Sequence, residues 1–156
     1  DLNIYKPYTL DEAVKIGKVV YSMLIANDIN VIRVGLQPTE EINYGKELVV
    51  GPFHPAFREL IEGSIYNDII QEEINCGHSD KVTIKINNRD ISKLYAYKKK
   101  FFNDMISANK TKNINVLQDL SVEKGTLIIE SDEKYTKITI TQFLQKRYKE
   151  GYSENL

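Results

Sequence analysis

The 156-residue sequence is 42% hydrophobic and 28% charged, with a formal net charge of −1, and these values are typical of a folded globular chain. No run reaches the roughly 20 apolar residues of a membrane helix, and the polar start lacks the apolar core of a secretory signal. We therefore expect a cytoplasmic protein with no membrane partner. The single cysteine, Cys76, excludes an internal disulfide and any metal cluster held by three or four cysteines of this chain.

Charge is distributed unevenly along the chain. Residues 1–79 hold 12 acidic and 6 basic residues, a balance of −6, whereas residues 80–156 hold 10 acidic and 15 basic residues, a balance of +5. Such a split suggests two units with different partners. We place the boundary in the linker Cys76–Asp80, which predicts a first unit over residues 1–78 and a second over residues 79–156.

The first half has the pattern helix–strand–helix. Thr9–Glu12 has the spacing of a capping box and predicts a helix over about residues 10–26. The nearly continuous β-branched run Val31–Leu36 predicts a strand of a covered parallel sheet. A second helix is predicted from Pro55, a favourable first position, to about residue 75, with Gly63 as a point where it bends or splits.

The second half changes rhythm. Apolar and polar residues alternate over Val82–Ile86, which predicts a half-buried strand. A helix capped by Asp90 or Ser92 follows, and its periodicity is interrupted at Lys98–Lys100. Further strands are predicted near residues 114–118, 126–131 and 135–138, and Thr141 is expected to cap a last helix. The sequence therefore predicts an α/β (α+β) fold, in which a helix–strand–helix segment precedes a small α+β domain.

Common catalytic signatures are missing from the sequence, including phosphate-binding loops, nucleophile elbows and paired metal-binding histidines. Polar side chains do stand beside apolar, stiffly turned backbone in the first half, and groups beyond the end of a parallel strand face the ligand crevice in α/β proteins. A structural interpretation stays open, in which Arg33 pairs with a carboxylate and His54 caps the second helix. The candidates for contact with a substrate or cofactor are Arg33, Gln37, His54 and Arg58.

Three blocks in order, Lys6–Val14, Val31–Thr39 and Gly51–Leu60, resemble the C-terminal region of radical S-adenosylmethionine (SAM) proteins. The similar proteins are bacterial iron–sulfur oxidoreductase-like proteins related to the radical SAM part of the Elongator catalytic subunit. The resemblance implies that residues 1–78 form the edge of a partial (β/α) barrel whose remainder lies upstream in the same polypeptide. Arg33, Gln37 and His54 match family positions near the open end of that barrel.

The resemblance also implies cofactors for the full-length parent, namely a [4Fe–4S] cluster and SAM, with none held by this chain. Radical SAM enzymes bind the cluster through a Cys-x3-Cys-x2-Cys loop, and reductive cleavage of SAM gives a radical that abstracts hydrogen from the substrate. The three cysteines would lie upstream of Asp1. We therefore assign no catalytic residue and no metal ligand to this chain.

In the second half, Val82–Leu94 resembles the strand-to-helix entry of a KH-like RNA-binding module. The glycines of that module's Gly-x-x-Gly loop are absent here, because the corresponding stretch is Ala96–Lys99. Lysines of this stretch could attract phosphates and a tyrosine could stack on a base, but a solvated lysine run beside core aromatic residues explains the same pattern. The RNA-binding candidates are Lys93, Tyr97, Lys98, Lys99 and Lys100.

These observations predict a non-catalytic C-terminal part of a radical SAM iron–sulfur oxidoreductase that contributes to substrate binding. By analogy with the Elongator relative, the substrate is expected to be tRNA. One alternative is a module that binds RNA or protein and has no redox function. Another is a small-molecule-binding domain that uses the region between Gln37 and His54.

Overall fold

The computed structural model describes residues 6–36 and 51–150, which form five α-helices, a four-stranded sheet and one π-helical turn. This mixture confirms the predicted α/β (α+β) fold class. In chain order the elements are α1 (Leu10–Ala26), α2 (Phe57–Asn75), β1 (Lys81–Ile86), α3 (Ile91–Leu94), α4 (Lys100–Ala108), β2 (Asn113–Gln118), β3 (Thr126–Ser131), β4 (Tyr135–Thr139), α5 (Ile140–Gln145) and the π-helical turn Lys146–Glu150.

The first two helices pack closely against each other. The predicted capping box starts α1: the Glu12 N–H donates to Thr9 Oγ1 at 3.2 Å, and the Thr9 N–H donates to Glu12 Oε2 at 2.7 Å. Gly17 lies where the helices meet, and a Cβ there would be 2.7 Å from Cδ1 of Ile61. Glycine at this position therefore allows the short distance between α1 and α2. The second helix begins at Phe57, two residues after the predicted start at Pro55.

The sheet has the strand order β2–β1–β3–β4. Strands β1 and β2 are parallel, with Ile84 opposite Val116, and the crossover that parallel pairing requires is supplied by α3 and α4. Strand β3 is antiparallel to β1 and β4. The predicted strands near residues 114–118, 126–131 and 135–138 are confirmed, as is the strand over Val82–Ile86.

Helix α2 lies at the centre of the hydrophobic core. Every residue from Leu60 to Asn67 is buried, and one cluster of buried side chains joins α1 and α2 to β1, β3 and α5. Gly63 does not split α2, which is continuous over Phe57–Asn75. It lies against α3, where an added Cβ would overlap the carbonyl oxygen of Lys93. Residues 76–80 form a loop, as expected, and the core extends to both sides of it. The division into units at residue 78 stays a prediction.

The predicted strand over Val31–Leu36 is not formed. These six residues, here called the linking segment, belong to no helix and no sheet, and Ile32 is 88% exposed. A strand needs a neighbour to pair its N–H and C=O groups, and no strand of the described ranges 6–36 and 51–150 is paired with this segment. A β-branched composition favours a strand but does not supply the partner that a strand requires.

Two further predictions about helices need correction. The helix expected to follow Asp90 or Ser92 is divided into the single-turn α3 and the longer α4, with the break at the predicted lysine run. The Asp90 side chain does not cap α3, because one of its oxygens accepts from the Gly125 N–H at 2.8 Å. Helix α5 is capped by Thr139 and not by Thr141, since Thr139 and Gln142 form a complete capping box.

No helix within residues 6–36 and 51–150 is both long and apolar enough to cross a membrane.

Candidate functional site

A buried ionic group, here called the junction network, connects elements from both halves of the chain. Glu62 is 5% exposed and receives three donors: Arg58 Nε at 2.8 Å, Tyr21 Oη at 2.9 Å and Lys93 Nζ at 2.9 Å. Lys93 also pairs with Asp90, at 3.1 Å. The junction network consists of Tyr21, Arg58, Glu62, Asp90 and Lys93, and it thus fixes α1, α2 and α3 relative to one another.

Electrostatics keep this network ionised. Burial alone would raise the pKa of Glu62, but hydrogen bonds from Arg58 and Lys93 outweigh it and hold the pKa below its usual value. Burial likewise opposes the charge of Lys93, yet the carboxylates of Glu62 and Asp90 raise its pKa. Burial raises the pKa of Tyr21, which keeps its hydroxyl protonated as a donor. The network therefore acts as a fixed structural joint at neutral pH.

The four sequence candidates of the first half have different positions. Arg58 belongs to the junction network, and its Nη1 donates to the Val31 carbonyl at 2.9 Å, which holds the linking segment against α2. His54 Nδ1 accepts from the Ala56 N–H at 3.1 Å, directly before α2, whose N-cap residue is Ala56 and has no side-chain cap. Arg33 is exposed on the linking segment. Gln37 lies outside the described residues, so the four are not brought together into one shown site.

The break between α3 and α4 forms an unusual turn, here called the lysine turn (Tyr97–Lys100). Tyr97, Lys98 and Lys99 have φ angles of 58°, 53° and 64°, so three consecutive non-glycine residues are left-handed. Each such residue costs roughly 1–2 kcal/mol, and the flanking helices must hold the conformation. Tyr95 and Phe102 contribute to this, with an edge-to-face ring contact at 5.0 Å. The lysine turn therefore has left-handed backbone without any glycine.

The charges of the lysine turn are partly occupied. Lys100 pairs with Asp104 at 3.1 Å and lies 3.7 Å from Asp11 at the start of α1. Lys99 Nζ is 4.5 Å from the centroid of the Tyr95 ring, a cation–π distance. Lys98 is exposed. Among the five RNA-binding candidates, Lys93 has its ammonium group held by Glu62 and Asp90.

A third feature is an exposed hydrophobic surface on α1 and the residues after it, here called the apolar face. Its exposed fractions run from 37% for Met23 to 88% for Ile32. Ile16, Val19, Val20 and Met23 recur at helical spacing on α1, and a row of exposed apolar side chains on one side of a helix usually marks an interaction site. The apolar face comprises Ile16, Val19, Val20, Met23, Ile29, Ile32 and Leu36.

The residues present do not fit an iron–sulfur cluster. Cys76, the one cysteine of the sequence, is exposed at the end of α2. Within residues 6–36 and 51–150, no three or more His, Cys, Asp or Glu side chains form a group that could hold a metal ion. A cluster with three cysteine ligands would have to be bound by residues of another part of the protein.

The fold and these surfaces define an α+β chain with a rigid internal joint and an exposed apolar face. Residues 2–67, less than half of the chain, match the family model of the Radical_SAM C-terminal domain, so this part of the chain is similar to that domain. No curated protein and no solved structure matches the chain. The match confirms the resemblance seen in the first half, whereas the relation to Elongator and the KH-like module stay predictions.

Sequence reasoning missed the centre of the junction network, Glu62. A glutamate in a charged-looking helix is normally exposed, and its burial depends on α3 folding back over α2. Two features of the sequence could have indicated it. Arg58 and Glu62 are four residues apart, the spacing of an ion pair on a helix. Leu60, Ile61 and Ile65 lie on more than one side of the same helix, which indicates that it is buried on most sides.

Proposed function

We propose that this chain is the non-catalytic C-terminal part of a radical SAM protein and that its apolar face docks on the radical SAM barrel of the same polypeptide. The observation that carries the proposal is the family match over residues 2–67. All seven residues of the apolar face lie within that match. The junction network would then hold the second half of the chain in a fixed orientation relative to the barrel.

The linking segment supports docking through added strand pairing. Val31 and Val34 are half-buried against the core, while Ile32 and Leu36 face outwards at 88% and 56% exposure. Arg58 Nη1 holds the Val31 carbonyl at 2.9 Å, so the start of the segment is already fixed on α2. A strand of the barrel could pair with these β-branched residues and cover the outward side chains, which is the usual gain from adding a strand to an open edge.

Docking can be tested in the polypeptide that contains this chain and the barrel. The double variant V20D/I32D should lower protein-bound iron and the yield of 5′-deoxyadenosine from SAM, because two carboxylates would be buried without partners. The control L120D makes the same kind of change at a residue that is 76% exposed and outside the apolar face. Iron content and SAM cleavage unchanged in V20D/I32D would overturn docking through this face. Absence of a Cys-x3-Cys-x2-Cys segment upstream would overturn the radical SAM assignment itself.

In this proposal the parent protein is an iron–sulfur oxidoreductase that uses a [4Fe–4S] cluster and SAM. Those cofactors supply the radical that abstracts hydrogen, and this chain supplies neither the cluster ligands nor a catalytic residue. Arg33, Gln37 and His54 remain candidates for contact with SAM or substrate, because they belong to the matched region. Arg58 is better explained as a positioning residue, since its guanidinium group already contacts Glu62, Tyr21 and Val31.

A second part of the proposal is that the lysine turn contacts RNA, with tRNA as the substrate suggested by the Elongator resemblance. One support is the chain order β1–α3–α4–β2, in which β1 and β2 are parallel. The other is the left-handed turn between α3 and α4, since a KH-like module contacts the nucleic-acid backbone with the loop between its two helices. The alternative function, an RNA- or protein-binding module without redox chemistry, uses the same surface.

The lysine turn can be tested by tRNA binding. The triple variant K98A/K99A/K100A should bind tRNA more weakly and with a flatter dependence on salt. The slope of log K against log salt falls by roughly 0.7–0.9 for every phosphate that the variant no longer neutralises. A matched triple variant, K15A/K110A/K146A, removes three exposed lysines elsewhere. If both triples bind alike, the lysine turn is not the RNA-binding surface. RNA binding without an upstream radical SAM barrel would favour the alternative function.

A further inference from the structure

Within residues 6–36 and 51–150, one side of the four-stranded sheet is covered and most of the other side is left open. Val82, Ile84, Ile86, Leu127 and Ile129 point into the core and are at most 6% exposed. Side chains alternate between the two faces of a strand, so their neighbours in sequence point outwards. This outward surface, here called the open sheet face, presents Asn113, Asn115, Leu117, Lys81, Thr83, Lys85, Ile128, Glu130, Tyr135 and Lys137.

The register places these side chains in rows across the sheet. Lys85 lies between Leu117 on β2 and Ile128 on β3, which gives the row Leu117–Lys85–Ile128–Lys137. Thr83 lies between Asn115 and Glu130, which gives the neighbouring row Asn115–Thr83–Glu130–Tyr135. Both rows are continuous over four strands. Such a surface can support an extended chain that crosses the strands.

The open sheet face is positively charged. It has three lysines and one glutamate, and Glu130 is occupied by Lys85 at 2.7 Å. Lys81 is exposed, and Lys137 lies 3.9 Å from Glu123 with both side chains more than half exposed, so solvent screens that pair. The charge that remains therefore suits a polyanion.

Aromatic and amide groups complete the surface. Tyr135 is 63% exposed and Leu117 is 43% exposed, although large apolar or aromatic side chains are usually buried. An exposed aromatic ring on an open sheet offers a base a surface for stacking. Asn113 and Asn115 are exposed on the edge strand β2 and offer both donors and acceptors to bases or sugars.

We propose that the open sheet face binds single-stranded nucleic acid, with Tyr135 stacking on a base and Lys81 and Lys137 contacting phosphates. This interface is separate from the lysine turn and does not depend on docking of the apolar face. Its partner is defined by a phosphodiester backbone with unpaired bases. A shallow depression at one end of the face is lined by Lys81, Thr83, Glu130, Ser131 and Asp132 and offers hydrogen-bond partners for the sugar of a nucleotide.

Fluorescence anisotropy of the 156-residue chain with labelled 12-nucleotide mixed-sequence RNA and DNA tests the stacking contact. Y135T keeps a strand-forming residue and removes the ring, so its Kd should rise by about 5- to 150-fold. Y135F keeps the ring and should bind like the wild type. Y8T is the matched control, because Tyr8 is 59% exposed and lies outside the sheet.

The phosphate contacts have their own readout. K81A/K137A should reduce the slope of log K against log salt by about 1.4, the value for two single-strand phosphates, and K15A/K110A should leave it unchanged. Binding of RNA alone or of both oligonucleotides supports the proposal, and a preference for RNA points to contacts with 2′-hydroxyls. The proposal is overturned if neither oligonucleotide binds, if Y135T binds like the wild type, or if only K98A/K99A/K100A weakens binding. These results leave the docking test untouched, so the two proposals fail separately.

Discussion

Replacing Glu62 by glutamine tests whether the junction network holds the helices together. Glutamine keeps the size of the side chain but leaves the Arg58 and Lys93 cations without their shared carboxylate. Breaking a fully buried pair from one side costs about 3–5 kcal/mol. Here the Arg58 and Lys93 side chains are 43% and 30% exposed, so solvent recovers part of that loss and we expect about 2 kcal/mol.

For a chain of this length, a loss of about 2 kcal/mol corresponds to a fall in Tm of about 4–8 °C. The loss should depend on pH in a defined direction. The pKa of Glu62 is lowered in the folded state, so its carboxylate stabilises the fold above the unfolded-state pKa of about 4.3, and this contribution disappears as the pH falls through the folded-state pKa. The difference between wild type and E62Q should therefore be full at pH 7 and shrink below about pH 4.

Thermal unfolding followed by circular dichroism at several pH values measures both effects. E72Q is the control on the same helix, because the Glu72 side chain is 47% exposed and its ion pair with Arg147 is long, at 4.0 Å. Equal Tm values for wild type and E62Q at pH 7 would refute the structural role of the network. A difference as large at about pH 3 as at about pH 7 would refute its electrostatic origin.

Two further predictions concern packing and capping. G63A should destabilise the fold by about 1–3 kcal/mol, because its Cβ would meet the Lys93 carbonyl. This steric cost outweighs the ~1 kcal/mol by which alanine normally stabilises a helix relative to glycine. G77A is the control, since an added Cβ there makes only an ordinary contact and the Tm should change little. T139A should lower the free energy of unfolding by about 1 kcal/mol, because it removes the cap of α5. T141A should change it by less than about 0.5 kcal/mol. Equal losses for the two variants in urea unfolding would contradict the assignment of the cap to Thr139.

Features with a local cause were predictable from the sequence. Thr9 and Glu12 are three residues apart and cap α1 on their own, and the alternation over Val82–Ile86 needs only one covered face. The cap of α5 could also have been found, because Thr139 and Gln142 have the capping-box spacing that Thr141 lacks. The error there was one of choice between two threonines and not a limit of the sequence.

Features that depend on distant residues were not predictable. The linking segment has strand-forming residues, but pairing requires a neighbour that the described chain does not place beside it. Burial of Glu62 depends on Lys93, 31 positions further along the chain. The lysine run predicted an interruption within one helix, not its division into α3 and α4. The left-handed backbone of Tyr97–Lys99 depends on how these two helices are anchored, and no glycine in the sequence indicates it.

The central position of α2 has a consequence for how the protein can be divided or recombined. The family match ends at Asn67, inside a helix that continues to Asn75 and packs against α1 on one side and the sheet on the other. Exchange of the matched region between homologous proteins at that point would join two half-helices that had each adapted to different neighbours. Crossovers in the loop over residues 76–80 keep α2 intact but still separate Glu62 from Lys93. We therefore expect the two halves to have changed together during evolution, with substitutions at Gly63 or Glu62 compensated in α3.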